Sequence, residues 1–296
     1  MPRLTLCSDD YGLNNEINDA VLALVSAGRL NAVSCMAVGP AFDGQSLIEA
    51  ASRSPIPVQI GLHLTLTEYS PLTAMPRFAK DGSFPSVGSL LVRSHLRRTN
   101  RAEIKREFER QFDVFHSVFG SPPDFVDGHQ HVHIFPGIRE EVVELAVARM
   151  GGQGAHSGWL RCCDAPTTDL IALCDPRAIL LAAMSRRHRS GRLRAGLISN
   201  ERFYGVNTFN RRQSFRALMQ RWLDLVAKGS SPSLIMCHPG LGTPVEGDPI
   251  AERRVDEFSY LKSEQFIEDL NAFDLSLDGQ DRRCRWETLG GQETTF

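Results

Sequence analysis

The sequence lacks the features that mark membrane proteins and secreted disulfide-rich proteins. No apolar run approaches the ~18 residues that a transmembrane helix needs. The stretch Met1–Asp10 reaches two acidic residues too soon to hold the apolar core of a signal peptide. The 7 cysteines are odd in number, scattered and without a C-x-x-C pair, so no disulfide framework is indicated. These absences predict a protein of the reducing cytoplasm with no transmembrane segment.

An excess of charge of one sign is also missing. The 33 basic and 35 acidic residues give a formal net charge of -2, without the basic footprint of a nucleic-acid-binding protein. The 296 residues, 42% of them hydrophobic, can build one large core. Because no internal repeat or low-complexity linker divides them, we expect a single domain over residues 1–296, with a short C-terminal tail from about 285. The sequence leaves open whether the protein is a monomer or a homodimer.

Predicted strands alternate with predicted helices along the chain, which indicates parallel βαβ units. The Pro-, Gly- and Ser-rich stretch from Tyr69 to Val87 is expected to be a loop. A single α/β barrel with seven or eight parallel strands fits this order. Strands are predicted at Arg3–Ser8, Val33–Gly39, Val58–Thr67, Trp159–Cys163 and Ser233–Cys237, and helices at about 15–27, 44–52, 101–119, 138–150, 176–188 and 212–228, with a last helix that Ser263 can cap. The helix over 101–119 is the clearest: Asn100 can cap its start, Gly120 ends it, and a largely aromatic stripe predicts its core face, with Ile104, Phe108, Phe112, Phe115 and Phe119.

Near the middle of the chain, a carboxylate and three histidines recur at every second position: Asp127, His129, His131 and His133. Prolines on both sides favour an extended segment, in which alternate residues share a face. Imidazole with carboxylate suits Zn, Mn, Fe or Ni, and carboxylate with water suits Mg. The stretch therefore predicts a metal-binding strand, the alternative being a polar strand edge whose histidines bond to backbone or solvent.

Other reactive groups fall at or near the ends of other predicted strands. Asp9 and Asp10 follow the first strand, His63 lies in the third, and His238 follows the last. The carboxyl ends of parallel strands carry the chemistry of such folds, so these segments are expected to meet at one rim. Adjacent aspartates in an extended strand would face opposite sides, so we expect a turn there, which Gly12 permits. One carboxylate could then bind the metal while the other accepts a proton.

Four motifs together resemble the YdjC/ChbG-type carbohydrate deacetylase family, whose members include ChbG-like and HpnK-like proteins. The resemblance runs from Leu4 to about Phe266. It implies a distorted (β/α) TIM-like barrel related to polysaccharide deacetylases, with one divalent metal ion, Mg or Zn. It also implies removal of the acetyl group from an N-acetylated amino sugar. The motifs are Ser8-Asp-Asp-Tyr-Gly12, Gly61-Leu-His-Leu-Thr65, Asp127-Gly-His-Gln-His-Val-His133 and His238-Pro-Gly240.

The resemblance further implies a role for each matched residue. By position, the metal ligands would be Asp10, His63 and His129. Asp9 would be the general base for a metal-bound water that attacks the acetyl carbonyl, and His238 the general acid or an oxyanion-side group. The residues by themselves leave the choice among the three histidines of the central stretch open. The remaining matched side chains would line the pocket: Asp127, His131, His133, and Tyr11, which stands where Phe is common.

The segment from Gly151 to Phe215 resembles the family least, and recognition of the acceptor is expected there. Its basic stretch 186–194 could meet a phosphate or an anionic membrane surface if the amino sugar is lipid-linked, or it could be a solvated helix end. Several aromatic residues could stack on a sugar or belong to the core: Trp159, Phe203, Tyr204 and Phe209.

Two other functions fit the same residues. The protein could be a metal-dependent hydrolase of another ester or phosphoester bond, since a fold does not determine a function. It could also be a non-catalytic sugar-binding protein. Asp9 and His238 argue against the second alternative, because binding alone requires neither a base nor an acid.

Overall fold

The computed structural model describes residues 4–150, 158–209, 211–242 and 248–277, without the side chains of 188–194. Within these residues, seven strands form one parallel sheet in the order β5-β4-β3-β2-β1-β7-β6. The predicted C-terminal tail lies outside the described residues. The strands are β1 (Leu4–Tyr11), β2 (Ala32–Cys35), β3 (Gln59–Leu64), β4 (Phe125–Gly128), β5 (Trp159–Leu160), β6 (Arg202–Tyr204) and β7 (Ser233–Cys237).

The sheet curls into a half-barrel, and the chain that precedes β6 links its two edges. Trp159 of β5 forms a parallel bridge with Ile198. The Asn200 side chain accepts from the N–H of Cys162 at 2.8 Å and donates to its carbonyl at 2.7 Å. The predicted parallel barrel is therefore confirmed in a distorted, seven-stranded form.

Helices follow the strands, as the alternating pattern predicts. Three of them, α3, α6 and α9, have no counterpart among the predicted helices. No helix in the described part of the chain is long and apolar enough to cross a membrane. The helices are α1 (Asn15–Ser26), α2 (Gly44–Arg53), α3 (Val87–His95), α4 (Arg101–Phe119), α5 (Arg139–Met150), α6 (Thr167–Leu173), α7 (Pro176–Arg194), α8 (Phe215–Ala227), α9 (Ala251–Lys262) and α10 (Glu264–Ala272).

Helix α4 holds the end of β3, the strand that carries His63. Asn100 caps its start by accepting from the Glu103 N–H at 3.2 Å, and Gly120 ends it in the left-handed region at φ 69°. From its buried face, Gln111 bonds the N–H of Thr65 at 3.0 Å and its carbonyl at 2.8 Å. The helix thereby fixes the end of β3. Its aromatic stripe lies in the core, as predicted: Ile104, Phe108, Phe112 and Phe115.

The histidine-rich stretch is not the extended strand that its spacing predicts. Strand β4 stops at Gly128, and a 3-10 turn follows over His129–Ile134. Gln130 (φ 51°) and His131 (φ 60°) are both left-handed in this turn. The neighbouring β3 pairs with β4 only as far as Gly128, so a longer strand would have no backbone partner on that side. The four side chains therefore do not share one face.

The predicted departure from an extended backbone at the aspartate pair is confirmed. Asp10 has φ 67°, and the pairing of β1 with β2 shifts register between Ser8 and Tyr11. Gly12 has φ 100°, and a Cβ there would lie 3.0 Å from the carbonyl oxygen of Met36. This irregularity lets both carboxylates of the pair reach the same end of the barrel.

Candidate active site

A cavity of about 700 Å³ opens at the carboxyl ends of the strands. It is where the segments that the sequence analysis expected to converge meet. Six of the predicted site residues line it: Asp9, Asp10, His63, His129, His131 and His238.

Three of these side chains form a buried cluster that could hold a metal ion. Asp10, His63 and His129 offer ligand atoms that all lie within 4.8 Å of one another. Nδ1 of His129 lies 3.0 Å from Oδ1 of Asp10, and Nε2 of His63 lies 3.5 Å from the same oxygen. Two imidazoles and one carboxylate are a donor set suited to a divalent transition metal.

Asp127 hydrogen-bonds to His63 on the side of the ring that faces away from Asp10. Its Oδ1 lies 2.6 Å from Nδ1 of His63 and accepts a hydrogen bond from the Ser34 hydroxyl at 2.5 Å. A carboxylate partner of this kind orients a ligating imidazole, and it leaves Nε2 of His63 turned towards Asp10. Burial alone would lower the pKa of His63, but Asp127 and Asp10 raise that pKa to about 10. A metal ion must therefore displace a proton to bind His63.

The candidate ligand Asp10 is held in place by a cation from α9. Arg254 donates from Nη2 to Oδ2 of Asp10 at 2.8 Å and from Nε to Oδ2 of Asp248 at 2.7 Å. Burial alone would raise the pKa of Asp10, but Arg254 and His129 outweigh burial and hold it well below its usual range. Asp10 is therefore ionised, and its Oδ1 is the oxygen that faces the two histidines.

Arg161, which follows β5, is the fully buried cation between two carboxylates. It donates to both oxygens of Asp9 at 2.6 Å, and its Nη2 lies 2.5 Å from Oδ2 of Asp127. Cys7, Asp9 and Asp127 also lie close enough together to hold a metal ion. The guanidinium already supplies positive charge to that second group and donates to the Cys7 sulfur at 3.1 Å. We therefore assign the candidate metal centre to the cluster around Asp10.

The two predicted proton-transfer groups differ in charge at neutral pH. Burial alone would raise the pKa of Asp9, but Arg161 outweighs it and holds that pKa below its usual value, so Asp9 is an anion. Burial lowers the pKa of His238, so its imidazole is neutral. The backbone N–H of His238 donates to the Glu257 carboxylate, and burial raises the pKa of Glu257 to about 7. The His238 ring meets the Phe209 ring edge-on, with the ring centres 5.4 Å apart.

His131 reaches the cavity by way of the left-handed turn. Its ring contacts Phe203 edge-on, with the ring centres 5.7 Å apart. Burial lowers the pKa of His131 to about 3, and the positive charge of Arg161 adds to this effect. His131 therefore presents a neutral imidazole to a bound ligand.

The other three side chains predicted to line the pocket lie behind its surface, which corrects that part of the prediction. Asp127 is fully buried against its partners. His133 is also fully buried, and its Nε2 lies 3.6 Å from the Cys163 sulfur. The Tyr11 hydroxyl donates to the carbonyl of Asp43 at 2.6 Å. His133 lies in the 3-10 turn, Tyr11 lies beside the β1 irregularity, and Asp127 lies within β4.

The weakly matched segment contributes one aromatic residue to the cavity. Phe209 lines it, whereas Trp159 stacks on Phe125 in the core, with ring centres 4.4 Å apart. Phe203 and Tyr204 are also buried in the core.

Only the start of the basic stretch 186–194 can be placed. Arg186 pairs with Asp164 at 3.2 Å. The side chains of residues 188–194 lie outside the described residues, as do residues 151–157.

Sequence reasoning missed three charged residues of the site. Arg161 lies near the carboxyl end of the predicted strand Trp159–Cys163, so the strand-end argument applied to the other residues could have found it. Arg254 lies on a helix that the patterns do not predict. Glu68 lies in a loop, where its Oε1 accepts from Gln130 at 2.7 Å and its Oε2 lies 3.4 Å from Nε2 of His129. Neither Arg254 nor Glu68 carries a local sequence signal.

Comparisons with known proteins show which family this chain resembles. The family model described as YdjC-like protein matches residues 3–272. The chain is 28% identical over 254 residues to a carbohydrate deacetylase of Mus musculus, covering 80% of this chain and 78% of that one. It is 33% identical over 147 residues to a chitooligosaccharide deacetylase of Serratia marcescens, covering 49% of this chain and 56% of that one.

A solved structure has the same fold. It is a protein of Enterococcus faecalis, named as a candidate cellobiose-phosphate cleavage protein, and it superposes with a TM-score of 0.71 at 18% sequence identity. The match covers 93% of this chain and 96% of that one.

We predict that His129→Ala abolishes retention of a divalent metal, because it removes one of the three clustered ligands. The metal content of the purified protein after dialysis measures this. His116→Ala, on the exposed face of α4, is the matched control and should keep the wild-type metal content. Equal metal content in both variants would contradict the assigned centre.

We predict that Arg161→Met lowers the free energy of unfolding at neutral pH by about 3–5 kcal/mol, because two buried carboxylates lose their partner. The folded-state pKa of Asp9 lies below its ordinary 3.8. The ion pair therefore stabilises the folded protein fully above about pH 4. This stabilisation is lost as the pH falls through the folded-state pKa of Asp9. The deficit should shrink in acid, where the Asp9 carboxylate takes up a proton and no longer needs the cation.

Urea unfolding at neutral and acidic pH measures this effect. Arg149→Met is the control, since the side chains of Arg149 and its partner Asp113 are 40% and 49% exposed and their ion pair should contribute under about 1 kcal/mol. Similar deficits in the two variants would contradict the role given to Arg161.

Proposed function

The chain belongs to the YdjC-like family, and on this basis we propose that it removes the N-acetyl group from an N-acetylated amino sugar. The substrate class is an oligosaccharide or glycoconjugate that contains N-acetylglucosamine. One observation carries the proposal: an ionised Asp10 clusters with two histidines beside the arginine-paired carboxylate of Asp9. The carbohydrate and chitooligosaccharide deacetylases among the relatives support the choice of an amide bond.

The residues of the cluster fit one divalent metal ion, Mg or Zn. Asp10, His63 and His129 would hold it, and the two imidazoles favour Zn over Mg. When bound, the cation would polarise the acetyl carbonyl and lower the pKa of a water molecule in the cavity. The partners of the ligands support this assignment, since Asp127 orients His63 and Arg254 holds the outer oxygen of Asp10.

Asp9 is the proposed general base. It lines the cavity as an anion, and Arg161 bonds both of its oxygens, which fixes the carboxylate in position. The same ion pair makes Asp9 a weaker base than an ordinary carboxylate. Close positioning of the acceptor against the attacking water offsets that weakness.

His238 is the proposed general acid, and its neutral resting state sets a condition on that role. It must gain a proton during turnover before it can protonate the departing amine. Its Nδ1 is buried with no hydrogen-bond partner among the described residues, so Nε2 is the ring atom left for proton transfer. The neutral imidazole of His131, on the same cavity, is available to hydrogen-bond the sugar.

We expect the metal-loaded protein to release acetate from N-acetylglucosamine oligosaccharides, and we expect a chelator to stop the reaction. A panel of free sugar, short oligomers and lipid-linked forms would be assayed for acetate. Chelator-sensitive release from any member supports the proposal. No acetate from any member, with metal bound, would favour hydrolysis of another ester or phosphoester bond, or a sugar-binding role.

We predict that Asp9→Asn keeps the metal but lowers kcat by about 10²-fold or more, because the acceptor of the water proton is lost. Metal content and acetate release are measured on the same preparation. Asp19→Asn, on the exposed side of α1, is the control and should retain wild-type values of both. Loss of the metal from Asp9→Asn would show that the roles of Asp9 and Asp10 are assigned wrongly.

A further inference from the structure

The two histidines of the candidate metal centre have matching surroundings. Nε2 of His63 lies 3.5 Å from Oδ1 of Asp10, and its Nδ1 lies 2.6 Å from Oδ1 of Asp127. His129 has the reverse arrangement, with Nδ1 3.0 Å from Oδ1 of Asp10 and Nε2 3.4 Å from Oε2 of Glu68. Each ring therefore has one nitrogen facing Asp10 and the other facing a second carboxylate.

Gln130 holds the Glu68 carboxylate beside His129. The Gln130 amide donates from Nε2 to Oε1 of Glu68 at 2.7 Å, and Oε2 of Glu68 is the oxygen near the His129 ring. Both residues line the cavity, and both have left-handed backbones, with φ 69° at Glu68 and φ 51° at Gln130. This conformation is unfavourable for residues other than glycine and persists where the surrounding structure fixes it. The fold therefore holds the pair in this arrangement.

Helix α4 fixes the loop that carries Glu68. Gln111 bonds both backbone groups of Thr65, and Glu107 accepts from the N–H of Leu72 at 3.0 Å. Gln111 also donates from Nε2 to Oε1 of Glu107 at 3.0 Å, and both side chains are fully buried. Glu68 lies between these two attachment points, so its position is set by buried hydrogen bonds on either side.

We propose that Glu68 orients His129 for metal binding, as Asp127 orients His63. A carboxylate that accepts from one ring nitrogen leaves the other nitrogen free to bind a cation, and it fixes the plane of the ring. Glu68 is thus a positioning residue that acts through His129. This inference rests on the proposed function, because it concerns the metal centre of that reaction.

Zinc affinity measures this role without turnover. Metal is removed from the full chain with a chelator, and the Kd for zinc is measured by competition with a metal-binding dye. Glu68→Met removes both acceptor oxygens, and we expect it to raise the Kd about tenfold. This is the lower end for such a partner, because the Glu68 side chain is 49% exposed and water screens its interaction with His129. A wild-type Kd in folded Glu68→Met would overturn the proposal.

Glu49→Met is the matched control, since Glu49 also accepts from a glutamine amide, that of Gln45 at 3.2 Å, but on α2. It should keep the wild-type Kd. Glu68→Gln retains one acceptor oxygen, so we expect its Kd to lie between those of the wild type and Glu68→Met. Equal weakening by both substitutions at Glu68 would overturn the orienting role, because loss of charge would then be the cause. Thermal melting verifies folding, and Glu68→Gly, which relieves the left-handed backbone, replaces Glu68→Met if that variant unfolds.

Cobalt substitution gives a second readout that a merely structural role would not change. In the NMR spectrum of a cobalt protein, the ring N–H of a ligating histidine is strongly shifted, and a hydrogen bond slows its exchange with water. We expect two such signals from the wild type and Glu49→Met, one for His63 and one for His129. Glu68→Met should lose one signal and keep the other. Two signals in Glu68→Met would overturn the proposal.

Acetate release by the same preparations separates this inference from the proposed function. Release by the wild type, with equal zinc affinity in the wild type and Glu68→Met, would overturn the orienting role alone. Weaker zinc binding by Glu68→Met, with no acetate released by the zinc-loaded wild type from any acetylated sugar, would overturn the proposed function and leave the orienting role of Glu68 standing.

Discussion

The candidate site depends on one buried guanidinium. Arg161 is fully buried and compensates two carboxylates, Asp9 and Asp127, that come from different strands. Without it, two negative charges would lie in a low-dielectric interior beside the candidate metal ligands, at a cost on the order of several kcal/mol. The barrel can therefore hold these buried carboxylates because Arg161, at the end of β5, lies between them.

The two adjacent carboxylates, Asp9 and Asp10, have different cation partners. Asp9 is held on both oxygens by Arg161, so it lines the cavity as a fixed anion. Asp10 turns away from Arg161 through its left-handed backbone and pairs with Arg254 instead. Asp9 and Asp10 thus pair with different arginines, and Asp10 faces the two histidines. This separation is the physical basis for assigning one carboxylate to the metal and the other to proton transfer.

A different part of the chain supplies the rest of the cavity wall. Arg177, Asn207 and Phe209 line the cavity beside the strand ends, and they come from α7 and from the chain between β6 and α8. The strands hold the reactive groups, while α7, α8 and their connections form the neighbouring surface. Such a division lets the lining of the cavity change without disturbing the buried charges around Arg161.

By itself, the sequence determined the alternation of strands and helices, the caps of α4 and the strand-end positions of Asp10, His63 and His238. These follow from local periodicity and from the rule that parallel strands carry chemistry at their carboxyl ends. Only the tertiary structure decided that the chain turns after Gly128, because strand pairing ends there. It also decided that Asp127 orients His63, and that Arg254, distant in sequence, holds Asp10. Those contacts join residues far apart along the chain, and no local pattern encodes them.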